Sequence, residues 1–135
     1  MVYNRNSIFA NLYVPWYRQI YLKIDKNLTF EEAFRRSTDT SKDFESPPVS
    51  ICYEPDEFIK LVESVGFKGK FKGATISSFE VDLAKKFYDK AVVDKRLGKD
   101  YREFLTLLKF DEHGVPFYCG HVAGIDACYL FEKLS

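Results

Sequence analysis

Arg35-Arg36-Ser37-Thr38-Asp39 sets two guanidinium groups beside two hydroxyls and a carboxylate. Guanidinium forks pair well with carboxylate and phosphate, so this run can take an anionic or polar ligand. It can equally be a solvated helix end in which Arg35 or Arg36 pairs with Asp39. Cys119-Gly-His121 places a thiol two residues from an imidazole, on one face if the segment is a strand. No third group orients that imidazole, so the sequence gives no catalytic residue. His113 and His121 do not stand at ligand spacing from a cysteine, and no metal site is expected. Lys68, Lys70 and Lys72 alternate along a candidate strand, where charge more often guards an exposed sheet edge than binds nucleic acid. No G-x-G-x-x-G follows a strand, so no cofactor-binding residue is assigned.

Composition narrows the classes further. A chain of 135 residues is read as one domain. Aromatic residues make up 17%, which suits a packed core or an aromatic-lined pocket. Lys plus Arg and Asp plus Glu are both 20, so net charge steers the chain toward neither nucleic acid nor an anionic membrane. Cys52, Cys119 and Cys128 are odd in number and lack motif spacing, which points to reduced thiols and a cytoplasmic location. Neither a signal peptide nor a membrane-length apolar run is found.

The elements that must position these residues are well punctuated. Glu54 to Ile76 reads as a helix feeding a strand. Pro55 suits the first helical position, and Asp56 and Glu57 favour the positive end of its dipole. Phe58, Leu61, Val62 and Val65 form the expected buried face, and Gly66 the stop. Phe67, Gly69, Phe71, Gly73 and Thr75 then alternate with the lysines. Upstream, Met1 to Tyr3 resembles the end of a strand. Asn4-Arg5-Asn6-Ser7 is a turn that caps a helix from about Ile8 to Ile24. Ile8, Leu12, Trp16, Ile20 and Ile24 line one ridge of that helix; Phe9, Tyr13, Tyr17 and Tyr21 line the next. The stripe is either a core face or a lid whose Tyr13 and Tyr17 floor a substrate pocket. Pro15 should kink it.

Thr29-Phe-Glu-Glu32 and Ser77-Ser-Phe-Glu80 are capping boxes, each opening a helix. Thr40 to Ser50 is a loop. The Ser77 helix should run to about Leu97 and Gly98, and the next from Lys99 to Lys109. Val115 to Val122 is extended, and Gly124 to Leu134 is a closing strand. That strand should pair antiparallel with Gly66–Ile76. Its other side should stand open beyond the short Met1–Tyr3, which favours a homodimer, aggregation or a partner half supplied in trans.

The order Val2-Tyr-Asn-Arg-Asn-Ser7, a long aromatic helix, Phe34-Arg-Arg-Ser-Thr-Asp39, Tyr53-Glu-Pro-Asp-Glu-Phe58 and Gly66-Phe67 resembles the C-terminal part of a small-molecule, class I S-adenosylmethionine-dependent methyltransferase. Asp94-Lys-Arg-Leu97, Arg102-Glu-Phe-Leu105 and Ala123-Gly-Ile-Asp126 are similar to its tail. The resemblance covers nearly the whole chain. It implies an α/β fold: the last strands of a Rossmann-like methyltransferase sheet, with a helical lid and extra helices. Residues 1–135 would be one partial domain, with the strand end and lid in 1–53 and the helix, strand and tail in 54–135. Tyr3, Asn4, Arg5 and Ser7 would line the acceptor site at a strand's carboxyl end, and Arg35, Arg36, Ser37, Thr38 and Asp39 would approach it from the lid. The family's Gly-rich cofactor loop has no counterpart in these residues. S-adenosylmethionine is therefore expected in the complete enzyme and not on this chain alone. The partner implied is a small-molecule acceptor. A non-enzymatic α+β interaction protein keeping a remnant of the fold is the alternative.

Overall fold

Two threonine- and serine-led boxes fix where helices begin. In a computed structural model describing residues 2–38 and 51–134, Thr29 accepts from the Glu32 N–H and Glu32 answers to the Thr29 N–H. This opens α1, Phe30–Ser37. Ser77 and Glu80 repeat the arrangement to open α3, Ser78–Val92. Pro55 begins α2, Pro55–Glu63, as its position favours. α3 stops short of Leu97, and Gly98 instead precedes α4, Lys99–Leu107.

The long aromatic helix is a π-helix, Phe9–Tyr21, with Pro15 inside it. Its i→i+5 bonding, seen where the Leu22 N–H meets the Tyr17 carbonyl at 2.8 Å, widens the coil. Residues four and five apart then stack: Tyr13 on Tyr17, Tyr17 on Tyr21, and Trp16 on Tyr21.

The strands form two sheets. β1 (Tyr3–Asn4), β2 (Cys52–Tyr53), β3 (Phe67–Thr75) and β7 (Asp126–Lys133) make a mixed sheet in the order β2-β1-β7-β3. β1 and β2 run parallel, and β7 is antiparallel to both β1 and β3. The expected pairing of β3 with β7 is therefore observed, with β3 at the edge and Lys68, Lys70 and Lys72 exposed. Among the described residues, the register pair between β7 and β1 is Tyr3 with Asp126. A second sheet contains β4 (Lys109–Phe110), β5 (Pro116–Tyr118) and β6 (His121–Val122).

Three expectations need correction. The alternation of β3 holds to Phe71, where a bulge before Gly73 adds a residue and reverses it, leaving Thr75 exposed. In α2 Leu61 is 49% exposed, and Val65, in the turn beyond it, is 70% exposed; Phe58, Ile59 and Val62 face inward instead. α2 ends at Glu63, so Val65 stands in the following turn and is no longer held on the helix's inner face. Val115 to Val122 is not continuously extended. It turns at Cys119 and Gly120, with φ of +50° and +81°, as a tight hairpin requires. Cys119 is thus a turn residue, not a same-face neighbour of His121 on one strand.

One core joins Ile8, Leu12 and Trp16 of the first helical segment to Leu83, Ala91, Leu97, Phe104 and Leu105. Another joins Tyr3, Ala10, Val14, Phe34 and Ile125. Glu80 ties the two regions together. It is fully buried and accepts from the Phe9 N–H at 3.2 Å and from the Ser77 N–H at 3.0 Å; its Oε2 also faces the Ile125 N–H at 3.5 Å. Among the described residues, no helix is long and apolar enough to cross a membrane.

Candidate functional site

β1 and β2 end side by side because they run parallel, and the chain turns sharply at both ends. After β1, the Asn4 side chain holds the turn: Oδ1 accepts from the Asn6 N–H at 3.0 Å, while Nδ2 donates to the carbonyls of Asn6 and Gly124. This is the local bonding that makes asparagine a turn residue. Asn11 reaches back from the π-helix and donates to the carbonyls of Arg5 and Ser7 at 2.7 and 2.9 Å. Ser7 is buried, its Oγ accepting from the Ala10 N–H at 3.1 Å. A rigid polar turn therefore projects Arg5 and Asn6 beyond the sheet. After β2, Glu54 and Pro55 do the same as α2 begins.

Two cavities open there, of about 520 and 550 Å³, sharing Asn6, Glu54 and Tyr118 as a common wall. The first adds Asn4, Asp56, Phe71 and His121; the second adds Arg5, Asp100, Tyr101 and Phe104. Each is large enough for a small organic ligand. Tyr118 and Phe104 lie with ring centroids 4.4 Å apart, tilted by 32°, and form an aromatic wall. Burial pushes the Tyr118 and Tyr101 hydroxyls above their usual range, so both are neutral hydrogen-bonding groups. A third cavity of about 360 Å³ shares Arg5 and Glu57 with this region and reaches Arg35 and Cys52.

The residues singled out in the sequence fall into two sets. Asn4, Arg5 and Arg35 line these connected cavities. Arg5 lies 4.4 Å over the Phe30 ring, and the Arg35 Nε is buried without a hydrogen-bond partner. The others are engaged elsewhere. Tyr3 is buried edge-on against Phe34. Tyr13 and Tyr17 belong to the stacked ridge with Tyr21 and Phe79. Arg36 meets Asp25 at 3.3 Å, and Arg18 holds the same carboxylate at 2.7 Å. The Ser37 and Thr38 hydroxyls donate to the Ala33 and Phe34 carbonyls of their own helix. Asp39 lies outside the described residues. Asn6, Glu54, Tyr101 and Tyr118 were missed. Asn6 and Glu54 carried a signal, polar residues just after two strand ends; Tyr101 and Tyr118 carried none.

Among the described residues, no group of three or more acidic, histidine or cysteine side chains could hold a metal. No hydrogen bond among them joins Cys119 to His121, whose ring instead stands edge-on to Phe71 at 4.8 Å. The turns after β1 and β2 contain no glycine. The chain matches no protein-family model, no curated protein and no solved structure.

Proposed function

We propose that this chain supplies the acceptor-binding part of a small-molecule S-adenosylmethionine-dependent methyltransferase, the cofactor being held by residues other than these. One observation carries the reading: the cavities lie beyond the carboxyl ends of parallel strands β1 and β2, where open α/β sheets bind ligands. The order β1-β7-β3, with β7 reversed between its neighbours, is compatible with the last strands of such a sheet. The contribution of these residues is to hold and orient an acceptor. Asn6, Glu54 and Tyr118 offer hydrogen bonds, and Phe104 and Tyr118 offer an aromatic wall. Correct orientation is a large part of catalysis in such a transfer.

Calorimetry tests the division of labour. The purified chain titrated with S-adenosylmethionine should show no micromolar binding, and micromolar binding would overturn the proposal. In an active enzyme containing this chain, Arg35→Ala should raise the acceptor KM while Arg36→Ala should not, because Arg36 is turned to Asp25. An α+β interaction protein remains the second reading. It is favoured by the short pairing of β7 with β1, a single Tyr3–Asp126 register pair among the described residues.

A further inference from the structure

The π-helix brings a ridge of aromatic side chains to the surface. Tyr13, Tyr17 and Tyr21 stack in turn along it, with Phe87 of α3 against Tyr17 and Tyr21 and Phe79 edge-on to Tyr13. The middle of the ridge is half-buried, but its ends are open: Tyr21 is 48% exposed and Phe79 46%. Just past Tyr21, Leu22 and Ile24 are each 42% exposed. This tip is held in place. Lys23 and Asp25 have φ of +57° and +60°, a left-handed conformation that residues other than glycine keep only where their surroundings enforce it. The Leu22 and Ile24 N–H groups donate to the Tyr17 and Arg18 carbonyls, both at 2.8 Å. Gln19 donates to the Asp25 and Leu28 carbonyls, and Arg18 and Arg36 clasp the Asp25 carboxylate. A strained turn is thus fixed with two aliphatic side chains open to solvent.

Cations border the same surface, although the chain as a whole carries no net charge. Lys86 and Lys90 are exposed and lie within about 20° of Phe79 around α3. The Lys90 ammonium stands 5.9 Å from the centre of the Phe87 ring. Asp82 and Asp89 are turned about 60° and 80° further round the helix, away from Phe87. Lys23 and Lys26 are exposed in and beside the tip, whose own carboxylate, Asp25, is already neutralised by the two arginines.

We propose that this surface seats in the interface of an anionic membrane, with Tyr21, Leu22 and Ile24 entering at headgroup level and the neighbouring lysines meeting acidic lipid. Amphipathic aromatic rings favour that depth, aliphatic side chains beside them bury against the acyl boundary, and nearby basic groups add attraction to negative lipid. The rigid tip meets the bilayer without first having to be ordered. A nucleic acid fits less well. Bases need free aromatic faces to stack on, and here the ring faces of Tyr13, Tyr17 and Tyr21 are turned to one another. The inference does not depend on the acceptor reading.

Co-sedimentation with vesicles tests this. The chain should pellet with phosphatidylcholine vesicles that contain phosphatidylserine, far less with phosphatidylcholine alone, and less as salt is raised. Leu22→Ser with Ile24→Ser should lower the partition coefficient about tenfold or more. Lys86→Gln with Lys90→Gln should also lower it about tenfold or more. All four positions are exposed, so folding, followed by circular dichroism, should survive. Lys68→Gln with Lys70→Gln, on the edge strand β3, should leave binding intact. Ile24→Cys with Cys119→Ser and Cys128→Ser gives a site for an environment-sensitive fluorophore, whose emission should shift to the blue on anionic vesicles. The same label at Leu130→Cys, exposed on β7, should not shift. No pelleting with anionic vesicles, pelleting unchanged in both the tip and the α3 lysine variants, or an unshifted label at position 24 would each overturn the proposal. Tighter capture by oligouridylate than by vesicles would do the same.

Discussion

Replacing Glu80 with alanine tests how the two cores are joined. The carboxylate serves donors from three separate places: Phe9 at the start of the π-helix, Ser77 before α3, and Ile125 before β7. Ile125 is buried and Phe9 largely so, leaving water poor access to replace the bonds. An orphaned buried donor costs about 1–3 kcal/mol. The lost capping box adds about 1 kcal/mol. Glu80→Ala should thus lose about 3–5 kcal/mol, a large share of a total near 5–15 kcal/mol. Burial raises the Glu80 carboxyl above its ordinary value of 4.5, with the hydrogen bonds pulling back. A raised acid binds its proton more tightly in the folded state, so its contribution is fullest below pH 4.5 and declines as pH rises through the folded value. Urea unfolding followed by circular dichroism should therefore show a gap between wild type and variant that narrows with rising pH. A loss under about 1 kcal/mol, or a gap that widens, would refute this account of Glu80.

Gly124→Ala would drive a methyl group into the Thr75 carbonyl, a backbone atom that cannot step aside, and should cost at least about 2 kcal/mol in the same unfolding assay. Asp94 accepts from the Trp16 indole at 2.9 Å and from the Arg96 fork, which together hold its carboxyl well below the usual range. Its contribution is present above pH 3.8 and is lost as pH falls toward the depressed value, so Asp94→Ala should cost about 1–2 kcal/mol at neutral pH and shift the fluorescence of Trp16. Burial pushes the Cys52 thiol up to about 12, whereas Cys119 and Cys128 are exposed. A thiol reagent at mildly alkaline pH should label two cysteines quickly and Cys52 slowly; uniform labelling would contradict its burial.

Local chemistry was legible in the sequence where partners are near neighbours. Thr29 with Glu32 and Ser77 with Glu80 mark helix starts through bonds spanning three residues. The wider role of Glu80 was hidden, because Phe9 and Ile125 lie far away in the chain. The strict four-residue spacing of Ile8, Leu12 and Trp16 departs from the 3.6 of an ordinary helix, a trace of the π-helix that periodicity alone leaves ambiguous. The bulge before Gly73 and the left-handed Cys119 follow from tertiary pairing, not from local preference. Asn4 and Arg5 were reached through the resemblance. Tyr101 and Tyr118 join the site only when α4 and the β5–β6 hairpin fold over the strand ends.

The position of β7 also governs the order in which the chain can be completed during synthesis. Tyr3 pairs with the distant Asp126, and β3 pairs along nearly all of β7. While a ribosome is still adding residues 77–125, β1 and β3 have no strand between them. The emerging segment must hold Tyr3, Phe67 and Phe71 without their final neighbours, a condition that exposes apolar surface to other nascent chains. Contacts of such long sequence separation also slow the closing step. The residues of β7 are thus the ones that make the main sheet continuous.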